Sequence, residues 1–125
     1  MLQGDFFTLS DIKTTGFEIM AELTINGAHT IFEGRFPGQP VVPGVCMMQM
    51  VKEIIEQVTG QKISLLKSSE MKFLAIINPS QNNAITATLK YSINENNGLV
   101  VSAIFFKEAV VHFKFKGIFQ PLPKN

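Results

Sequence analysis

The chain has 125 residues, a length that suits one continuous core, and we expect a single domain over residues 1–125. Charged residues make up 17% and the formal net charge is +1, which argues against a nucleic-acid-binding protein. The lone Cys46 excludes an intramolecular disulfide, and zinc-binding Cys/His spacing does not occur, so we expect no metal and no cofactor. Residues 1–10 do not resemble a signal peptide, and no run of about 18 apolar residues occurs, which indicates a cytoplasmic protein without a membrane span.

The first predicted element is a β-strand from Gly16 to Ile25. Apolar and polar residues alternate along it with a period of two, so one face is buried and the other is wet. Asn26-Gly27 then ends the strand. The apolar positions are Phe17, Ile19, Ala21, Leu23 and Ile25.

A segment rich in glycine and proline, Gly34 to Gly44, leads into a long apolar helix. Pro43 suits the first turn of this helix, and Gly60 ends it. The early part of the helix is apolar on nearly all sides, so other structure must surround it. We therefore expect a central helix.

Strand-like runs follow the helix, separated by short connections of the kind that join neighbouring antiparallel strands. This order predicts an α+β fold in which an antiparallel sheet, with its last strands in a meander, wraps around one long central helix. The runs are Ile63 to Ile77, Ala84 to Ile93, Leu99 to Lys107 and Val110 to Phe119.

The start of the helix is the most informative feature for chemistry. No Ser, Thr, Asp or Asn precedes Pro43 to cap it, so the amides of Gly44, Val45 and Cys46 have no obvious side-chain acceptor. The helix dipole adds partial positive charge there. A thioester carbonyl oxygen would satisfy these amides and be polarised by them.

The sequence Gly34-Arg-Phe-Pro-Gly-Gln-Pro-Val-Val-Pro-Gly-Val45 resembles the signature of the 3-hydroxyacyl-acyl-carrier-protein dehydratases. Met71-Lys72-Phe73 running to Ile77-Asn78-Pro79 resembles the strand that follows the helix in that family. The resemblance implies a hotdog fold, a substrate carried as a thioester on acyl-carrier protein or CoA, and a homodimer or an oligomer of dimers. The substrate-binding residues that it implies are Phe36, Pro37, Pro43, Gly44, Val45 and Cys46.

At both catalytic positions of this family, the chain has a different residue type. Arg35 stands where the family has its histidine base, and an arginine stays protonated near neutral pH. Gln49 stands where the family has its carboxylic acid, and an amide does not titrate. Arg35 could instead hold a carboxylate, phosphate or enolate oxygen as a fixed cation.

Two residues could replace the missing groups. Glu53 is one turn beyond Gln49 on the same helix face and could be a displaced acid, although a solvated surface glutamate is the simpler interpretation. His29 could be a base, but a structural loop residue packing on Phe32 is the simpler interpretation.

Three further features have a simple structural interpretation. Alternation along the last strand places His112 at an exposed position. Cys46 could be a reactive thiol at a helix start, but its apolar neighbours favour a buried, inert one. The helix methionines and the phenylalanines Phe32, Phe36 and Phe73 could form core or the wall of an acyl-chain tunnel.

Three functions are compatible with these residues. The chain could be a hydro-lyase acting on acyl thioesters in fatty-acid or polyketide-like synthesis, with weak or no activity of its own. It could be a non-catalytic acyl-binding subunit that forms a heterodimer with an intact hotdog dehydratase. It could also be a hotdog thioesterase, for which only Glu53 offers a base.

Overall fold

Six strands form one antiparallel sheet in the computed structural model, which describes residues 1–33 and 41–123. The strand order across the sheet is β1-β2-β4-β5-β6-β3, and this confirms the predicted α+β class. The elements in chain order are β1 (Phe7–Thr15), β2 (Glu18–Ile25), a 3₁₀ helix (Thr30–Phe32), α1 (Gly44–Thr59), β3 (Ile63–Phe73), β4 (Ala84–Ile93), β5 (Leu99–Lys107) and β6 (Val110–Pro121).

The core lies between helix α1 and the inner face of the sheet. The alternation that predicts β2 and β4 is present in β2 and in β4 as far as Lys90, where buried side chains alternate with half-buried or exposed ones. Phe17, predicted on the buried face, precedes β2 and is 55% exposed, so that part of the prediction was wrong. Each large apolar side chain that is fully buried contributes about 1.5–3 kcal/mol. The helix contributes Cys46, Met47, Met50, Val51, Ile54 and Ile55, and the sheet contributes residues that include Leu23, Ile85, Leu89, Val101, Phe105, Phe113, Phe115 and Phe119.

The predicted ends of the helix are confirmed. Pro43 precedes its first residue with φ −64° and provides no side-chain cap. Gly60 ends it in the left-handed conformation at φ 71°, where its N–H donates to the Glu56 carbonyl. No helix in residues 1–33 or 41–123 is both long and apolar enough to cross a bilayer.

Two features of the sheet differ from the prediction. Strand β1 was missed, and it forms one edge of the sheet by pairing with β2. The connection through Asn78-Pro79-Ser80 does not join neighbouring strands, because β3 pairs with β6 at the opposite edge while β4 pairs with β2 and β5. The meander therefore consists of β4, β5 and β6, and β3 pairs with β6 at the edge of the sheet opposite β1.

The contact between β3 and β6 depends on Gly117. A Cβ added there would lie 2.7 Å from the Lys67 backbone oxygen and 2.6 Å from Cζ of Phe115. Because the Lys67 backbone oxygen cannot rotate away from an added methyl group as a side chain could, we expect Gly117→Ala to lower the free energy of unfolding by roughly 2 kcal/mol. Urea denaturation measures this, with Gly27→Ala as the control, since a Cβ there meets nothing closer than 3.6 Å. Equal stability of the two variants would contradict the prediction.

Candidate functional site

The first turn of helix α1 presents two amides that have no acceptor among the described residues. The N–H groups of Gly44 and Val45 have no acceptor within the described ranges, and the Val45 side chain is 75% exposed. We expected the Cys46 N–H to be free for a ligand, and this was wrong, because it donates to the Pro43 carbonyl at 3.0 Å. The Cys46 side chain is buried, as predicted. Two neighbouring N–H donors at the positive end of a helix can polarise one carbonyl oxygen.

An aromatic ring covers one side of this helix start. A Cβ added to Gly44 would lie 2.7 Å from Cε1 of Phe73, so only glycine lets the ring approach the backbone this closely. Phe73 stacks on Phe113 with ring centroids 5.1 Å apart, yet it remains 52% exposed. The Val42 N–H donates to the Ile77 carbonyl at 2.9 Å and ties the chain before the helix to the segment after β3. The open amides therefore lie next to an apolar wall.

Gln49 and Glu53 form a pair one turn apart on α1. Gln49 Nε2 donates to Glu53 Oε2 at 2.9 Å. The Glu53 carboxylate also accepts from the Leu2 N–H, at 3.0 and 2.8 Å to its two oxygens, and from the Gln3 N–H at 2.8 Å. It is 3% exposed. This carboxylate fastens the N-terminal segment to the middle of the helix.

The expectation that Glu53 is a solvated surface residue was therefore wrong. The N-terminal segment covers it, and this segment is fifty residues away in sequence, beyond the reach of a helix-face argument. Glu53 borders a cleft of about 370 Å³ together with Met1, Gln3 and Glu56. Three donors already occupy its oxygens, so this arrangement suits neither a displaced acid nor the water-activating base that a thioesterase needs.

His29 has a structural role in the loop after β2. Its Nδ1 accepts the Ile31 N–H at 3.0 Å and so caps the 3₁₀ helix, which leaves the proton of a neutral ring on Nε2. Nε2 lies 3.0 Å from Asp5 Oδ2. The ring meets Phe6 edge to face, and Phe6 in turn contacts Phe32. With both ring nitrogens engaged, the structure favours the structural interpretation of His29 over a catalytic base.

His112 is buried, so its predicted exposure was wrong. The register between β5 and β6 shifts at this point, since Phe105 pairs with Phe113 but Phe106 pairs with Val111. This shift breaks the strict alternation on which the prediction depended. Its Nδ1 lies 3.1 Å from the Ala75 carbonyl oxygen, and its buried Nε2 has no partner in the part of the chain that the structure describes. Within the described ranges, no three His, Cys, Asp or Glu side chains converge in a group that could hold a metal ion.

The structure thus brings together part of the predicted site. Pro43, Gly44, Val45 and Cys46 share the helix start, and Gln49 follows about 7.5 Å further along the axis. The predicted residues Arg35, Phe36 and Pro37 lie outside the described residues. Sequence reasoning missed the amides of Leu2 and Gln3, because no local pattern relates them to Glu53, which is fifty residues away.

Comparison with known proteins relates this arrangement to one family. The family model described as ApeI-like, ApeI dehydratase, matches residues 11–114. The dehydratase FabZ of Pectobacterium atrosepticum, a 3-hydroxyacyl-acyl-carrier-protein dehydratase, is 23% identical over 87 residues, which are 70% of this chain and 53% of that protein. The chain therefore spans about half the length of this curated relative.

Two solved structures have the same fold. The dehydratase heterocomplex ApeI:P from Xenorhabdus doucetiae superposes with a TM-score of 0.69 at 20% identity, covering 89% of this chain and 95% of that one. An uncharacterized protein from Erwinia carotovora subsp. atroseptica gives a TM-score of 0.60 at 23% identity, with 93% of each chain covered. The sheet around a single helix is thus the hotdog fold, and because the family model covers residues 11–114, the chain belongs to the ApeI-like dehydratase family.

Proposed function

We propose that this chain is a hotdog subunit that holds an acyl thioester at the start of helix α1 and has little dehydratase activity of its own. The observation that most supports this proposal is the pair of Gln49 and Glu53. The Gln49 amide, which cannot titrate, donates to the Glu53 carboxylate, and the other hydrogen bonds of that carboxylate come from the N-terminal backbone. The described part of the helix therefore offers no free acid at the position where the family resemblance expects one.

The helix start supports the binding half of this proposal. The open amides of Gly44 and Val45 would accept a thioester carbonyl oxygen, and Phe73 would contact the acyl chain. The name of the FabZ relative suggests a 3-hydroxyacyl or enoyl group on acyl-carrier protein as the substrate. A CoA thioester presents the same carbonyl.

Strand β3 supports the second half, in which another hotdog subunit supplies the groups that move protons. It is an edge strand, and β6 is its one partner among the described strands. Apolar side chains are exposed along β3 and just after it, and exposed apolar surface of this kind supports a partner that covers it. They are Leu65, Leu66, Met71, Phe73, Leu74 and Ile76. The ApeI:P structure is itself a heterocomplex, and this favours a partner of the same fold, either a second copy or an intact dehydratase.

The proposal is tested by assaying the purified chain with a short enoyl thioester, alone and mixed with a hotdog dehydratase that keeps its histidine and carboxylate. Acid–base catalysis contributes about 10²–10⁴-fold per group, so the chain alone should turn over at least about 100-fold more slowly than the intact dehydratase. Native mass spectrometry should detect a bound acyl chain or a mixed dimer. Turnover equal to that of the intact enzyme would contradict the proposal, and so would homodimers that never carry an acyl chain.

A further inference from the structure

The outer face of the sheet, which points away from helix α1, carries a basic groove. A cavity of about 770 Å³ crosses it and is lined by residues from all six strands. A second groove of about 430 Å³ adjoins the first and shares Lys90, Ser102 and Lys116 with it. We call the two together the outer-face groove. Neither helix α1 nor the Gln49–Glu53 pair lines it.

Charge is concentrated in this groove. Five of the eleven basic residues line it, against two of the ten acidic residues, although the formal net charge of the chain is only +1. Glu18 pairs with Lys90 at 3.3 Å, and Glu70 pairs with Lys72 at 3.3 Å. The other lysines of the groove have no acidic partner among the residues that the structure describes. These are Lys13, Lys67, Lys114 and Lys116.

The order of side chains across the strands defines the shape of an occupant. Neighbouring strands align Lys13, Met20, Thr88, Ile104 and Lys114 in one row, so lysines stand at both ends of a partly apolar floor. Met20 is 47% exposed and Ile104 is 37% exposed, so both can make contacts. Four strand spacings of about 4.8 Å separate the two lysines, or roughly 19 Å.

We infer that the outer-face groove binds an acidic amphipathic helix of a protein partner. Roughly 19 Å corresponds to about 13 residues of α-helix, so acidic residues in the first and last turns would meet Lys13 and Lys114 while apolar residues between them cover Met20 and Ile104. A small anion cannot reach both ends of the row. A polyphosphate backbone would meet the carboxylates of Glu18 and Glu70, whereas a helix can place neutral residues opposite them.

The test uses a fluorescent 14-residue helical peptide with glutamates in its two end turns and leucines at helical spacing between them. Fluorescence anisotropy should show binding that weakens as salt is added. The double variant Lys13→Glu/Lys114→Glu should raise the Kd at least roughly tenfold, because attraction becomes repulsion at both ends. The control Lys62→Glu/Lys107→Glu changes the net charge equally outside the groove and should leave the Kd within about twofold.

Three results would overturn the inference. The two double variants could bind the peptide equally well, or a peptide with glutamines in place of the glutamates could bind as tightly as the acidic one. Vesicles containing phosphatidylserine could also bind through Lys13 and Lys114 while the acidic peptide does not, and the groove would then be a lipid-binding surface. All three outcomes are independent of acyl-thioester turnover, so the proposed function can fail while this inference stands.

Discussion

Arg35→His combined with Gln49→Glu is expected to raise the enoyl-thioester hydration rate of the isolated chain by at least about 100-fold. The substitutions supply a base and an acid at the two positions where the family resemblance places them, and each such group contributes about 10²–10⁴-fold. Gln49 is well placed for this change, because it lies on the same helix as the open amides of Gly44 and Val45. The rate is measured under single-turnover conditions, alongside each single substitution.

The contact between Gln49 and Glu53 affects what a carboxyl at position 49 would do. Gln49 Nε2 is 2.9 Å from Glu53 Oε2, so Gln49→Glu brings two carboxyls within hydrogen-bonding distance. Like charges at this distance do not both ionise readily, so the pair would hold one shared proton near neutral pH. A triple variant that adds Glu53→Gln removes the repulsion and restores an amide–carboxylate pair with the roles exchanged.

The control for this series is Arg35→Gln with Gln49→Glu, which removes the cation without supplying a base. We expect it to remain as slow as the unmodified chain. If the unmodified chain already matches the Arg35→His/Gln49→Glu variant, proton transfer uses other groups and our interpretation of both positions is wrong. If every variant is inactive but binds the acyl thioester, the site binds the substrate but is not arranged for dehydration.

Glu53→Ala is expected to lower the free energy of unfolding by roughly 3 kcal/mol. The substitution removes a carboxylate that is 3% exposed and leaves the amides of Leu2 and Gln3 and the Gln49 side chain without their acceptor. Hydrogen bonds to charged groups contribute about 1.5–3 kcal/mol each, and release of the chain end offsets part of the loss of three. Urea denaturation measures the change.

The matched control is Gln57→Ala, four residues further along the same helix at an exposed position, which should change stability by less than about 0.5 kcal/mol. Glu53→Gln keeps one oxygen acceptor and should fall between the two. Hydrogen exchange gives a second readout, because the Leu2 and Gln3 amides should lose protection in Glu53→Ala. An unchanged denaturation midpoint would show that the N-terminal segment is not held by Glu53.

Much of the fold can be predicted because its regular elements carry strong local patterns. Strand β2 alternates, with Ile19, Leu23 and Ile25 buried between neighbours that are exposed or half-buried. Helix α1 has a proline before it and a glycine after it, and both ends are where these residues predict them. Local patterns of this kind need no information about distant contacts.

Strand β1 and His112 could not be predicted because each involves an irregularity in the sheet. The register between β1 and β2 shifts between Ser10 and Lys13, where Asp11 has φ 50°, and most of the strand is exposed. At His112, the register between β5 and β6 shifts, and the consecutive residues His112 and Phe113 are both buried. A register shift of one residue reverses which side chains alternation predicts to be buried, and the local sequence contains no signal of such a shift.

The candidate site was predictable only in its local parts. The uncapped helix start follows from Pro43 and the residues before it, and the amides of Gly44 and Val45 have no acceptor among residues 1–33 and 41–123. The environment of Glu53 depends on Leu2 and Gln3, which reach the helix through the tertiary fold rather than through helical spacing. Contacts between segments fifty residues apart depend on the topology of the fold, so they cannot be predicted from local patterns in a single sequence.

The exposed β3 edge has a consequence for how this protein is produced. A strand with one unpaired edge that exposes Leu66 and Phe73, followed by the exposed Ile76, is a template for uncontrolled association, because any other extended chain can add to that edge. If the proposed hotdog partner covers this edge, chain made in excess of that partner should precipitate rather than accumulate as monomer. Co-production of such a partner should then raise the soluble yield.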